Sequence, residues 1–168
     1  MGWLSVVRNQ AVPVPPEVEL ERGERVLATA RADDATVVVT SRRLVVPGGG
    51  LDEGRPWHLV DGGRWDPEES VLRVTWVDGS PAGRWHLTTP GGVPDAFHER
   101  VNASVLLVEQ VRIDPARRAR VVLRKNLTTD RVVAQTIVAQ GCDPDDAQLV
   151  AVTEEVAARL AEQVGREP

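Results

Sequence analysis

The stretch TVVVTSRRLVVPGGG, residues 36–50, decides how the chain begins to fold. It holds two runs of β-branched and aliphatic residues on either side of a polar corner, Ser41-Arg42-Arg43. Runs of this length, bounded by Ser, Pro and Gly, are typical of β-strands. The stretch therefore predicts a hairpin with two arginines at its turn. Because arginine pairs also bind phosphates and carboxylates, the corner is either a simple turn or part of a ligand site.

The neighbouring sequence extends the strand pattern on both sides. Strands are predicted from ERVLATARA (24–32), ATVVVTS (35–41), RRLVVP (42–47), PWHLV (56–60), GGRWDP (62–67), VLRVTWVDG (71–79) and GRWHLTT (83–89). The intervening LDEG (51–54) is predicted as loop. A short helix over 94–103 follows from Pro94 and from the i,i+4 pair Phe97 and Val101. We expect this helix to close one end of the seven strands.

The rest of the chain predicts three more strands and a long helix. SVLLVEQVRID (104–114) fits either a strand or a continuation of the preceding helix, and the alternation at its end favours a strand. RARVVLRKN (118–126) and RVVAQTIVAQ (131–140) are predicted as strands.

The sequence of the last helix, 143–165, carries clear start and stop signals. We expect Asp143 to be its N-cap, Pro144 to occupy the first helical position and Gly165 to end it. Its apolar stripe should pack on the three-stranded sheet, and it consists of Leu149, Val152, Val156, Leu160 and Val164.

We therefore predict an α+β chain in three parts. Residues 1–22 form an irregular segment, because three prolines disfavour regular structure. Residues 23–103 contain seven strands and a capping helix. Residues 104–168 form a three-stranded antiparallel sheet with a C-terminal helix, a βββα unit.

Seven antiparallel strands followed by one helix is the plan of the pleckstrin-homology (PH) superfold. The segments RGERVLATARA, VVVTSRRLVV, RPWHLV and FHERV resemble bacterial PH-like and GRAM-like domains over about residues 20–103. The resemblance implies a seven-stranded antiparallel barrel capped by a helix, and a binding or scaffold role without catalytic residues. Residues 104–168 look like the additional βββα piece of uncharacterised actinobacterial proteins.

The first hairpin loop departs from the lipid-binding PH domains. Those members carry several basic residues around this loop, whereas here Asp33 and Asp34 occupy its tip. Two carboxylates would repel an inositol phosphate. We therefore expect no specific phosphoinositide binding.

Composition narrows the class of protein further. The chain of 168 residues has a net charge of −5 with 42% hydrophobic residues, which supports a folded core and argues against a nucleic-acid-binding protein. The single cysteine, Cys142, fits a reducing compartment. Since no apolar run reaches about 18 residues and no basic region precedes the apolar residues near the start, we expect a cytoplasmic protein without a transmembrane segment.

Few residues point to catalysis, a metal or a cofactor. Gly48-Gly49-Gly50 lacks the Gly-Lys-Ser/Thr ending of a phosphate-binding loop. The two WHL repeats place His58 and His86 outward, opposite buried tryptophans, but two histidines are too few for a typical metal site. Cys142 precedes a helix start, which can activate a thiol, yet a small loop residue is favoured. We expect no enzyme and no cofactor; an enzyme would need His86 or Cys142 in a pocket between the two halves.

Five arginines are candidates for an interaction surface: Arg42, Arg43, Arg117, Arg118 and Arg120. For the first pair, the simplest expectation is that Ser41 bonds its local backbone while the arginines are solvated or pair with nearby carboxylates. Two functions remain open. One is a non-enzymatic interaction or scaffold module that binds another protein or a second copy of itself. The other is a peripheral domain that binds anionic lipid through these arginines.

Overall fold

A computed structural model describes residues 11–165. Over these residues the chain is α+β, with ten strands in three antiparallel sheets and two helices. The strands are β1 (Val26–Ala32), β2 (Ala35–Thr40), β3 (Arg43–Val46), β4 (Leu51–Pro56), β5 (Val60–Asp66), β6 (Val71–Trp76), β7 (Gly83–His86), β8 (Val105–Asp114), β9 (Arg117–Lys125) and β10 (Val132–Val138). The helices are α1 (Val93–Ser104) and α2 (Ala147–Val164), and a 3-10 turn spans Trp57–Leu59.

The hairpin predicted at residues 36–50 is β2–β3, in a four-stranded sheet of order β1-β2-β3-β4. Val39 pairs with Leu44 across it, and Val38 pairs with Val45. Both faces of these strands are covered, because the Val38 face packs against Val18 of the N-terminal segment. This double burial explains why the valines run continuously instead of alternating with polar residues.

The fourth strand differs from the prediction. β4 is Leu51–Pro56, so the LDEG segment is a strand, and the predicted strand PWHLV begins as the 3-10 turn Trp57–Leu59. As an exposed edge strand, β4 carries Asp52 and Glu53 in place of apolar residues, and composition therefore gave no strand signal. The Trp57 ring fixes the turn, since its Nε1–H donates to the carbonyl oxygen of Thr40 at 2.9 Å.

The next three strands form a separate sheet of order β5-β6-β7. One isolated bridge, Ala32 to Leu87, connects it with the first sheet. Over the described residues the seven strands thus form two sheets and no closed barrel, which corrects the expected seven-stranded closure. The two sheets nevertheless share one hydrophobic core.

Helix α1 packs into that shared core, as expected for a capping helix. Phe97 and Val101 are buried, and the Phe97 ring meets Trp57 edge-on with 5.7 Å between ring centroids. Gly63 makes room for the ring, because a Cβ atom there would lie 2.4 Å from Phe97 Cε1. Truncating a buried phenylalanine typically costs about 3–5 kcal/mol, so this contact contributes substantially to stability.

The third sheet has the order β10-β9-β8, and α2 packs on one of its faces. Residues 105–114 are a strand, which resolves the alternative left open by the sequence. The α2 stripe meets Val121 and Leu123 in a second, separate core, as predicted. The N-cap is Asp146 instead of Asp143: Asp146 Oδ1 accepts from the Leu149 N–H at 2.9 Å, while Asp143 closes the turn before it.

Candidate functional site

The arginines at the first predicted turn are engaged inside the protein. Arg43 donates from Nε to Glu24 at 3.0 Å and from its two terminal nitrogens to backbone carbonyl oxygens at 2.6 Å each. Arg42 pairs with Glu21 at 3.1 Å. The geometry matches the expected pairing with nearby carboxylates, and it leaves little of the Arg43 guanidinium for a ligand.

Thr40, and not Ser41, closes this turn. Thr40 Oγ1 accepts from the N–H groups of Arg42 and Arg43 at 3.1 and 2.9 Å. Ser41 Oγ instead accepts from the backbone N–H of Arg25, at the start of the neighbouring strand. A side-chain hydroxyl therefore does bond the local backbone of the turn, as expected, but the hydroxyl is that of Thr40 and not that of Ser41.

Glu24 is the buried centre of this network, with 6% of its surface exposed. Burial raises the pKa of Glu24, but hydrogen bonds from Arg43 and Thr40 outweigh it and hold the pKa below its ordinary value. The carboxylate is thus ionised in the folded protein. The network joins the N-terminal segment to β2 and β3, and its role is structural.

The predicted arginines of the third part lie on opposite faces of β9. Arg117 points to α2, where it bonds Asp146 at 3.2 Å and Gln148 at 2.7 Å. Arg118 and Arg120 lie on the other face, because neighbouring side chains alternate along a strand. The structure therefore divides a set that the sequence placed together.

Arg118 and Arg120 line a shallow groove of about 500 Å³ across the open face of the third sheet. We call this surface the arginine groove. Its side chains come from all three strands and from the residues after β10, and they include Gln110, Arg112, Arg118, Arg120, Ile137 and Gln140. Among the described residues that line the groove none is acidic.

Two arginines face each other directly in the groove. Arg112 on β8 pairs with Arg118 on β9 in the strand register. Arg118 Nε donates only to the carbonyl oxygen of Pro115, and Arg112 has no hydrogen bond or ion pair with any described residue. Like charges directly opposite on a sheet destabilise it. The pair therefore concentrates positive charge on this face of the sheet, and an anion bound between the two guanidinium groups would offset their repulsion.

Sequence reasoning missed Arg112. Its position opposite Arg118 depends on the register of the β8–β9 hairpin, whose strands are joined through Pro115 and Ala116. The segment VRIDPARR does contain a turn signal, Asp114-Pro115. In the structure Asp114 Oδ1 accepts from the Ala116 N–H at 2.9 Å and closes that turn. A regular hairpin drawn around that turn would have paired Arg118 with Ile113. The bulge between Arg112 and Asp114 brings Arg112 opposite Arg118, and no sequence signal marks that bulge.

Arg120 is tied to the first half of the chain. It donates to both carboxylate oxygens of Asp61 on β5, one of them at 2.6 Å. Buried Arg124 donates to the backbone carbonyl of Asp61 at 2.9 Å and to Ser104 Oγ at 3.1 Å. Burial lowers the pKa of Arg124, and the Asp61 carboxylate opposes that shift. This junction fixes the third sheet, and with it the groove, against β5.

A second row of arginines crosses the sheet of β5, β6 and β7. Arg64 pairs with Arg73 in the strand register, and Arg73 pairs with Arg84. Carboxylates lie beside this row as well: Glu69 bonds Arg84 at 3.2 Å, and the shallow pocket around Arg64 and Arg73 also includes Asp66 and Glu69. The sequence analysis did not identify this row either.

The second WHL repeat follows the prediction. Trp85 and Leu87 are buried, whereas His86 is exposed and bonds Asp33 at 3.2 Å. Within residues 11–165, no three His, Cys, Asp or Glu side chains are grouped as metal ligands.

The first WHL repeat does not follow the prediction. The 3-10 turn buries Trp57 but leaves Leu59 exposed, so these two residues do not share a face. His58 is partly buried, and burial together with the nearby Arg124 charge lowers its pKa. The backbone carbonyl of His58 accepts from Gln135 Nε2 at 2.6 Å, which adds a second contact between the two halves.

Two further sequence candidates lie away from the groove. Cys142 is half-buried in a turn, where its backbone N–H donates to the carbonyl oxygen of Ala139. It lies four residues before Asp146, the N-cap of α2. The region of the β1–β2 turn is acidic, because a shallow pocket there is lined by Asp33 and Asp34 together with Glu17 and Asp52.

Comparison with known proteins gives no match to a protein-family model, to a curated protein or to a solved structure. Neither helix in residues 11–165 is long and apolar enough to cross a membrane.

Proposed function

We propose that the protein is a non-enzymatic interaction module in which residues 23–103 are a PH-like domain. The order of elements supports this assignment: four strands, then three strands, then a helix that packs in the core shared by both sheets. The separate core beneath α2 supports the division at about residue 104.

We further propose that the arginine groove binds an acidic segment of a partner protein. The observation that carries this proposal is the Arg112–Arg118 pair, two cross-strand guanidinium groups without a carboxylate partner among the described residues. Guanidinium groups bind carboxylates with directional, charge-assisted hydrogen bonds. The exposed side chain of Val108, next along β8, adds apolar contact area.

A protein segment suits this surface better than an anionic membrane. The groove is a depression of about 500 Å³ in the face of the sheet, and an extended chain can lie in it more closely than the flat surface of a bilayer can. The acidic pocket at the β1–β2 turn supports the expectation that inositol phosphates do not bind there.

Binding of fluorescein-labelled hexaglutamate, followed by fluorescence polarisation, tests the proposal. We expect saturable binding that weakens between ~0.05 and ~0.3 M NaCl. The double variant Arg112→Gln/Arg118→Gln should bind at least about tenfold more weakly, a loss of about 1.4 kcal/mol. The matched control is Arg64→Gln/Arg73→Gln, which removes a cross-strand arginine pair that has carboxylates beside it, and it should bind like the wild type.

Three results would contradict this assignment. One is the absence of saturable binding at low salt. Another is a loss of binding in the Arg64/Arg73 variant but not in the Arg112/Arg118 variant. The third is a protein that does not bind hexaglutamate but co-sediments with phosphatidylserine vesicles and not with phosphatidylcholine vesicles. If the Arg112/Arg118 substitutions abolish this co-sedimentation, the protein is a membrane-binding domain.

A further inference from the structure

Strand β8 borders the arginine groove and has one free edge. It pairs with β9 on one side, and no described strand pairs with its other side. The backbone N–H of Ala139 donates to the carbonyl oxygen of Arg118, which shows that the backbone groups of Arg118 point toward β10. Because backbone direction alternates along a strand, the outward-pointing N–H and C=O groups of β8 are those of Val108, Gln110 and Arg112.

The middle of this edge, between the two bulges of β8, lacks most of the features that usually prevent strand pairing. Edge strands are commonly short, charged or interrupted by proline. β8 has ten residues, no proline or lysine, and an exposed Val108 at its centre. Its two acidic residues are already paired, Glu109 with Arg159 of α2 at 2.6 Å and Asp114 with Arg117 at 3.1 Å. The edge strand β4, by contrast, carries Asp52 and Glu53 with no ion pair to a described residue.

We propose that the partner is an extended acidic peptide that adds to the free edge of β8 as a fourth strand of the third sheet. This inference rests on the proposed function of the groove. The peptide backbone would pair with the outward groups of Val108, Gln110 and Arg112. Carboxylates at alternate peptide positions would then lie directly beside Arg112, with Arg118 one strand further in.

The opposite face of β8 determines the remaining peptide positions. Leu107 and Ile113 are partly buried and pack against the core beneath α2. The side chains of an added strand alternate between the two faces, so its other positions would lie beside this core and should be apolar. The ligand is thus a segment in which acidic and apolar residues alternate.

A second copy of the chain suits this edge less well. Two β8 strands could pair antiparallel about a twofold axis. However, the groove-facing residues of β8 between its two bulges are Val108, Gln110 and Arg112, none of which is acidic. A second β8 therefore supplies no carboxylate to the arginines, whereas an acidic peptide neutralises them.

The test uses a fluorescein-labelled peptide, EVEVEVE, and two proline variants of the full-length chain. Gln110→Pro removes an outward N–H from β8 without removing a hydrogen bond to β9, which edge strands tolerate. Thr136→Pro makes the corresponding change at the outer edge of β10. We expect at least about tenfold weaker binding for Gln110→Pro and wild-type binding for Thr136→Pro.

A second measurement keeps the test valid if Gln110→Pro does not fold. It compares three forms of EVEVEVE on the wild-type protein. One is unmethylated, one carries N-methyl groups on the backbone nitrogens of the odd-numbered residues, and one carries them on those of the even-numbered residues. One of the two methylated peptides should bind more weakly, because its methyl groups block the N–H groups that pair with β8. Its charges are the same as those of the other two peptides. Equal binding of all three peptides would overturn the strand-addition proposal.

The outcomes also separate this proposal from the function of the groove. If Arg112→Gln/Arg118→Gln weakens EVEVEVE binding but backbone methylation and Gln110→Pro do not, the groove binds by charge and the strand proposal is wrong. If the wild-type chain binds neither hexaglutamate nor EVEVEVE, both proposals are wrong. A dimer in light scattering that Gln110→Pro dissociates would show that a second copy occupies the edge.

Discussion

At the residue scale, local sequence predicted side-chain roles where the partners are near in the chain. The pairing of Arg42 and Arg43 with carboxylates follows from the acidic segment that precedes β1. The Arg112–Arg118 pair could not be seen in the same way, because it depends on strand register and not on composition. The candidate site was therefore only partly predictable: Arg118 and Arg120 were identified, and Arg112 was missed.

Glu24 provides a test of the structural role assigned to the first arginine pair. Glu24→Gln removes a buried charge that accepts from Arg43 and Thr40. Hydrogen bonds to charged groups contribute about 1.5–3 kcal/mol, so we expect a loss of that order in the free energy of unfolding at pH 7. Urea denaturation measures it, and Glu21→Gln, an exposed partner of Arg42, is the control that should change nothing measurable.

The same substitution should have a defined pH dependence. The pKa of Glu24 is lower in the folded than in the unfolded protein, so its contribution is present above the unfolded value of about 4.3. It is lost as the pH falls through the folded pKa. The difference between wild type and Glu24→Gln should therefore shrink below about pH 4. A difference that grows in acid would contradict the assigned direction of the shift.

At the element scale, strong patterns predicted elements and weak ones did not. The valine runs and the α2 stripe gave correct strands and a correct helix because burial imposes a pattern on the sequence. β4 escaped detection because an exposed edge needs no apolar residues. The N-cap of α2 was placed at Asp143 because several aspartates there satisfy the same local rule, and only the observed hydrogen bond selects Asp146.

Removal of α2 tests its role as the cover of the third sheet. A chain that ends at Gly141 exposes Val121 and Leu123, which are almost completely buried in the full protein. A three-stranded sheet with a bare apolar face is not stable, so we expect insoluble or molten protein. The control chain ends at Gly165, the C-cap of α2, and should be soluble with an unchanged melting temperature.

Circular dichroism and size-exclusion chromatography distinguish the outcomes. A soluble, well-folded monomer from the chain ending at Gly141, together with a dimeric full-length protein in light scattering, would show that α2 packs on a second chain. The contact of α2 with β9 would then be secondary.

At the scale of the whole molecule, sequence predicted the number of strands but not their closure. Whether seven strands form one barrel or two sheets depends on contacts between distant segments, such as the isolated bridge from Ala32 to Leu87. The junction at Asp61 was equally inaccessible, since it joins β5 to arginines about sixty residues later in the chain. That junction holds the groove in a fixed position on the first half.

The most direct measurement is a map of amide chemical shifts in the ¹⁵N-labelled full-length protein during titration with hexaglutamate. We expect saturable shifts concentrated in residues 108–120, around the Arg112–Arg118 pair. Shifts centred on Arg64 and Arg73, or on the turn at Arg42 and Arg43, would contradict the assignment of the arginine groove as the binding site, as would the absence of saturable shifts.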